Sequence, residues 1–250
     1  MSEHPTHFRG WAKPGPRPPG QHTPTDVPPD ESLDAISGHF RLFQLRDGHR
    51  FSTDDVLTAW YGTSWVPTAA RVLDLGSGIG SVGMVAAWRL PGAQFVTIEA
   101  QDESVRLARK SAAYNGLLDR YDIRHGDLRD AALLADEAPF DLVLGSPPYF
   151  PPGTGVEGDH PQKVHCRFEM RGDIRDYART ALAHLAPGGL FACVFPDNQR
   201  TRVDEAAADA GAVVVRRRPV VFREGDAPLV ALFALMRADD LPDGLRGQTW

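Results

Sequence analysis

The stretch Val72-Leu73-Asp74-Leu75-Gly76-Ser77-Gly78-Ile79-Gly80 limits the possible folds of this chain more than any other. A short apolar run of the kind that forms a buried strand ends in a glycine-rich turn, and an apolar segment of helical length, Ser81 to Leu90, follows it. Without a Cβ, Gly76 and Gly78 let the backbone turn tightly and let a ligand come close to it. The next apolar run, Gln94 to Ile98, ends in Glu99. That carboxylate lies roughly 20 residues past the turn, the spacing at which an acid reaches a ribose diol in a doubly wound sheet.

The alternation continues downstream. Strands are expected at Arg71–Leu75, Gln94–Ile98, Asp122–His125, Phe140–Leu144 and Leu190–Phe195. Helices are expected at Ser81–Leu90, Glu103–Asn115, Leu128–Asp136 and Asp173–Leu185, with Pro187-Gly188-Gly189 stopping the last. This rhythm is that of an α/β protein, a parallel sheet with helices on both faces. A further helix near Arg200–Ala210 precedes two β-rich runs, Ala212–Phe222 and Leu229–Met236. Upstream, alternating apolar residues from Phe40 to Phe51 suggest a hairpin with Asp47-Gly48 at its tip. Asp54 to Trp65 reads as a helix capped by Ser52 or Thr53. Residues 1–35 are rich in proline and polar residues and are expected to form a flexible tail. Residues 36–250 then make one domain, with the hairpin and helix over 36–68 and the core sheet over 69–237.

Two cofactors suit such a turn. A nicotinamide dinucleotide calls for Gly-x-Gly-x-x-Gly. Counted from Gly78 the pattern fits, with Gly83 last, but Gly83 falls within the expected helix and the match is taken as fortuitous. Asp74, just before the turn, would repel a pyrophosphate but can hold the ammonium of a methionine moiety. S-adenosylmethionine is therefore the expected cofactor.

The second informative motif is Ser146-Pro147-Pro148-Tyr149, directly after the apolar run Phe140 to Gly145. Paired prolines cannot extend a strand, and they stiffen the turn that follows. That turn presents a hydroxyl, a fixed carbonyl and an aromatic ring at a strand's carboxyl end, where open α/β sheets bind ligands. The Ser146 hydroxyl and the Pro147 carbonyl suit the two N–H groups of a flat amine, and Tyr149 suits its ring. Pro148 and Phe150 are expected to wall the same pocket. Residues 151–162, Gly- and Pro-rich, are expected to form a lid or insert.

Together, Asp74 to Gly80, Glu99, Gly126-Asp127 and Ser146 to Tyr149 resemble the ordered motifs of class I S-adenosylmethionine-dependent methyltransferases. Gly38 to Gln44, Ser52 to Leu57, Gly153 to Glu157 and Arg167-Phe168-Glu169 are similar to blocks of the bacterial tRNA (valine) adenine-N6 methyltransferases. Those relatives carry Asn where this chain has Ser146, the form familiar from cytosine-N4 enzymes. The resemblance implies a seven-stranded, mostly parallel Rossmann-like sheet closed by a carboxyl-terminal antiparallel pair. It further implies that Asp74 holds the methionine ammonium, Glu99 the ribose, Asp127 the adenine amino group and Leu128 the adenine ring. Thr53 and Asp54 would line the methionine end, and Arg167 and Arg171 would contact substrate phosphates.

The implied substrate is an adenine N6 amine in tRNA or another RNA. The alternative is a protein side-chain amide or a small amine. A net charge of −6 disfavours a nucleic-acid partner, although Arg216-Arg217-Arg218 with Arg223 offers a local basic patch. Cys166 and Cys193 match no zinc spacing, and no metal is expected. No run is long enough for a bilayer and no secretory signal opens the chain, so a cytoplasmic monomer or homodimer is expected.

Overall fold

The computed structural model describes residues 6–23, 25–150, 162 and 172–245. Its centre is a seven-stranded sheet built from β5 (Arg71–Leu75), β6 (Gln94–Glu99), β7 (Tyr121–His125), β8 (Phe140–Gly145), β9 (Leu185–Pro196), β10 (Ala212–Val220) and β11 (Val230–Arg237). The strand order is β10-β11-β9-β8-β5-β6-β7. β5 to β9 pair in parallel, and β11 runs antiparallel to both β9 and β10.

Strand alternation divides the core into two layers. Val72, Phe95, Leu142 and Leu144 face one layer, shared with α1 (Thr53–Trp65), α2 (Ser81–Arg89) and α3 (Asp102–Asn115). Leu73, Leu75, Ile98 and Val143 face the other, shared with α4 (Ile174–His184) and α5 (Arg200–Asp209). The helices start where the sequence supplies caps. The Ser52 N–H donates to the Asp55 carboxylate at 2.9 Å, and Asp173 accepts from the N–H groups of Arg175 and Asp176.

Four expectations about secondary structure are corrected. The hairpin lies one strand earlier than expected. It pairs β3 (Glu31–Ser37) with β4 (Phe40–Leu45) and turns at Gly38-His39, whereas residues 46–51 form a loop. β3 thus lies partly within the segment expected to be a tail. Glu31 is 1 % exposed and accepts from Arg106 at 2.8 Å and Lys110 at 2.5 Å on α3. Burial pushes this carboxyl up, but Lys110 and Arg106 outweigh it and hold it below its usual range. The tail itself contains the short strands β1 (His7–Phe8) and β2 (Trp11–Ala12), and it packs Gly15 on Trp88 and Gly20 on Tyr114. The helix expected at Leu128–Asp136 is only a 3-10 turn, Ala131–Leu134. Finally, Pro187-Gly188-Gly189 does not follow a helix directly. It lies within β9, and the pairing with β8 shifts register to accommodate it.

Candidate active site

β5 connects to β6 on one side, while β8 lies on its other side, so the strand order reverses between β5 and β8. Ligands bind at such a switch point, beyond the strands' carboxyl ends. A cavity of about 1090 Å³ opens there. Gly76, Ser77 and Gly78 after β5, Glu99 at the end of β6, Gly126 and Leu128 after β7, and Ser146 to Phe150 after β8 all line it.

The glycine turn is shaped by its left-handed backbone. Gly76 has φ +61° and Gly78 φ +55°. A Cβ at Gly76 would overlap the Tyr177 hydroxyl, whereas one at Gly78 would meet nothing within 4 Å. Glu99, 6 % exposed, fastens the turn from across the cavity. Its Oε2 accepts the Gly78 N–H at 2.8 Å and its Oε1 accepts the Gln101 N–H at 2.7 Å.

Tyr149 links the two halves of the site. Its hydroxyl donates to Asp54 Oδ2 at 2.8 Å. Its ring meets Phe195 edge-on at 5.7 Å and Phe150 at 6.4 Å. Burial raises the phenol far above its usual range, the charges of Asp54 and Asp55 reinforce this, and a hydrogen bond with Ser146 opposes it. The hydroxyl is therefore a structural donor at neutral pH, and the turn after β8 is tied to the first turn of α1. Pro147 is buried and Pro148 half-buried along the cavity wall.

Several expected residues stand elsewhere. Asp74 is fully buried and lies beneath the cavity rather than along it. It sits on the Val72 face of β5, and its Oδ2 accepts the Gly83 N–H of α2 at 2.8 Å. Burial raises its pKa well above the usual range, and the nearby Asp55 and Glu99 charges add to the effect. Gly83 lies within α2, as expected, and serves packing there. A Cβ there would overlap the Tyr121 hydroxyl and come within 2.8 Å of Asp74 Oδ2, so only glycine lets α2 pack this closely on β5. Asp127 turns away from the cavity and grips Arg129, accepting from its Nε at 2.8 Å and its Nη2 at 2.6 Å. Thr53 is exposed and does not line the cavity, whereas Asp54 does. Arg167, Arg171 and the expected lid, apart from Gln162, lie outside the described residues.

Sequence reasoning missed three contributors to the site. Asp55 lines the cavity although it is 7 % exposed, and burial pushes its carboxyl up to about 6. Tyr177 of α4 backs the glycine turn. The loop Arg46 to Arg50 forms the far rim; its expected role as a hairpin tip hid it.

The residues present fit S-adenosylmethionine, whose sulfonium and ammonium are cationic. Asp54, Asp55 and Glu99 line the cavity, and Asp74 lies below them. The Asp74 Oδ1 and Ser77 Oγ atoms are buried without a hydrogen-bond partner among the described residues. Burial disfavours the ionised Asp55 and Asp74 carboxyls, and a positive ligand would relieve this.

Comparison with known proteins agrees with this geometry. A family model of the methyltransferase small domain matches residues 62–161. A tRNA1(Val) (adenine(37)-N6)-methyltransferase of Shewanella amazonensis is 29% identical over 205 residues, 80% of this chain and 85% of its own length. One from Porphyromonas gingivalis is 30% identical over 161 residues, 63% of this chain and 62% of its own. Among solved structures, TrmN from Thermus thermophilus aligns with TM-score 0.52 and 22% identity, covering 73% of this chain and 48% of that one. A protein of Agrobacterium tumefaciens described as a predicted O-methyltransferase gives TM-score 0.55 and 22% identity, covering 73% and 80%. At 22% identity these structural likenesses carry the fold alone.

Proposed function

We propose that this chain, which is similar to the methyltransferase small domain and to tRNA1(Val) adenine-N6 methyltransferases, uses S-adenosylmethionine to methylate an exocyclic amino group, adenine N6 of a tRNA. One observation supports this above the others: the rigid Ser146–Tyr149 turn and the Gly76–Gly78 turn with Glu99 open into a single cavity. The bound cofactor supplies a methyl group already activated on a sulfonium. What remains for the protein is mainly alignment.

Glu99, at the carboxyl end of β6 on the cavity wall, accepts from the ribose hydroxyls, and Leu128 packs on the adenine. Asp55 supplies negative potential near the donor, and Asp54 acts through its bond to Tyr149. On the acceptor side, the amine lone pair is delocalised into its ring, which makes it a poor nucleophile. The Ser146 hydroxyl and the Pro147 carbonyl accept its two N–H groups, biasing the nitrogen towards tetrahedral geometry, which takes the lone pair out of conjugation, and stabilising the positive charge that develops. Tyr149 supports the base ring, a contact worth about 1–3 kcal/mol. Its hydroxyl bond to Asp54 fixes the ring's position. A paired base cannot enter such a pocket, so the target lies in a loop or is extruded. The names of the relatives favour adenine in tRNA over other amines.

The test is incubation with methyl-labelled cofactor and total RNA, total protein and a small-molecule extract in parallel. Label in RNA, recovered as N6-methyladenosine after nuclease digestion, is the expected result. Label in protein or in the small-molecule fraction would reassign the acceptor, and label in none would overturn the proposal.

A further inference from the structure

β10 is an edge strand, and its three consecutive arginines do not share one environment. Its register against β11 shifts between Val214 and Arg216, so that Arg216 opposes Ala234, Arg217 opposes Phe233 and Arg218 opposes Leu232. Ala234 and Leu232 belong to the core layer that contains α1, while Phe233 belongs to the other. The bulge thus sends Arg216 and Arg218 to the α1 side and Arg217 to the opposite side. Arg217 there pairs with Asp197. Arg216 and Arg218 have no carboxylate partner among the described residues. They lie instead on indole rings of α1, Arg216 at 3.6 Å from the Trp65 centroid and Arg218 at 5.5 Å from that of Trp60. Both tryptophans remain exposed, at 40% and 36%.

A guanidinium held over an indole ring and not paired with a carboxylate can offer its planar fork of N–H groups, which matches a phosphate. The direction of the strand adds a second point. β10 runs the same way as β9, and Val220 lies level with Pro196, beyond the carboxyl ends of the parallel strands. The strip therefore leads to the sheet edge on which Tyr149 and the cavity lie. Phe222, 49% exposed, continues it there.

We propose that Arg216 and Arg218, seated on Trp65 and Trp60, form a phosphate-binding strip that docks the sugar–phosphate backbone of the RNA substrate. This inference rests on the RNA reading above. On a chain with net charge −6, it provides the local positive surface that a polyanion needs.

The test is binding of unfractionated tRNA to the full chain across a salt series, for wild type and the Arg216→Gln/Arg218→Gln double variant. The expected result is an affinity loss of roughly tenfold or more and a log K against log salt slope shallower by roughly 1.5, as two phosphate contacts require. Unchanged S-adenosylmethionine affinity by calorimetry shows that the variant is folded. Arg216→Lys/Arg218→Lys retains the charge but loses the planar fork, and should fall between the two. If wild type binds tRNA and the double variant binds it equally well with the same slope, the strip is refuted and the RNA reading survives. If wild type itself binds no tRNA at low salt, both fail.

Discussion

Gly76 and Gly78 share a left-handed backbone but face different surroundings, so alanine at each isolates a different cost. At either position an L-residue costs about 1–2 kcal/mol of backbone strain. At Gly78 nothing else is added, because the new Cβ meets no atom within 4 Å. At Gly76 the Cβ would overlap the Tyr177 hydroxyl and lie 2.9 Å from its Cζ, and Tyr177 is only 5% exposed. Overpacking of this kind adds about 1–3 kcal/mol. Gly76→Ala should therefore destabilise by roughly 2–5 kcal/mol and Gly78→Ala by roughly 1–2 kcal/mol. Urea unfolding measures both. Tyr177→Phe removes the overlapping oxygen but not the close ring carbon, so it should recover part of the Gly76→Ala loss in a double-mutant cycle. Calorimetry with S-adenosylmethionine gives the complementary contrast: Gly78→Ala, the milder change for stability, should still weaken binding at least about tenfold, near 1.4 kcal/mol. Equal stabilities for the two variants, with normal cofactor affinity for Gly78→Ala, would refute this description of the turn.

Other expectations concern the carboxylates. Glu99→Ala removes the group that accepts from Gly78 and that the proposal assigns to the ribose, and should weaken cofactor binding roughly tenfold to a hundredfold, with turnover recovering at high cofactor concentration. Asp55 titrates at about 6 in the ligand-free protein against an ordinary 3.8, so its contribution to stability is full below about pH 4 and is lost as pH rises through 6. A cationic ligand favours the ionised form; binding near about pH 5.5 should release a proton, and affinity should fall as pH drops below about 6. Calorimetry in buffers of different ionisation enthalpy detects that proton, and its absence would count against a cation beside Asp55. Tyr149→Phe and Asp54→Ala break the same hydrogen bond, so their effects on kcat should not add. Additive losses in kcat would mean that Asp54 acts separately from Tyr149.

The sheet was readable in the sequence because runs such as Leu142-Val143-Leu144 are buried on both faces and allow no other placement. The glycine turn and the proline turn were readable for a related reason: their backbone demands are local. What stayed hidden depends on partners distant in sequence. β3 carries Glu31 into the structure only because Arg106 and Lys110, 75 and 79 residues away, neutralise it. Tyr177 reaches the glycine turn from α4, which no local pattern announces. Two misplacements had a signal that was overlooked. Strand alternation already puts Asp74 on the face of Val72, towards α2, and not at the strand's end. Asp127, with Arg129 two residues on, had a local turn partner ready to turn it away from the cavity. Gly83 was read only as falling within a helix, and its packing against Asp74 and Tyr121 depends on residues that no local pattern brings together.

The claim that one cavity aligns donor and acceptor is tested most directly in Tyr149→Ala, by the single-turnover rate of label transfer to RNA beside the dissociation constant for S-adenosylmethionine. A rate lower by roughly tenfold to a hundredfold, with cofactor affinity unchanged, is the predicted outcome. An unchanged rate, or an equal loss of cofactor binding, would contradict the assignment of this turn to the acceptor.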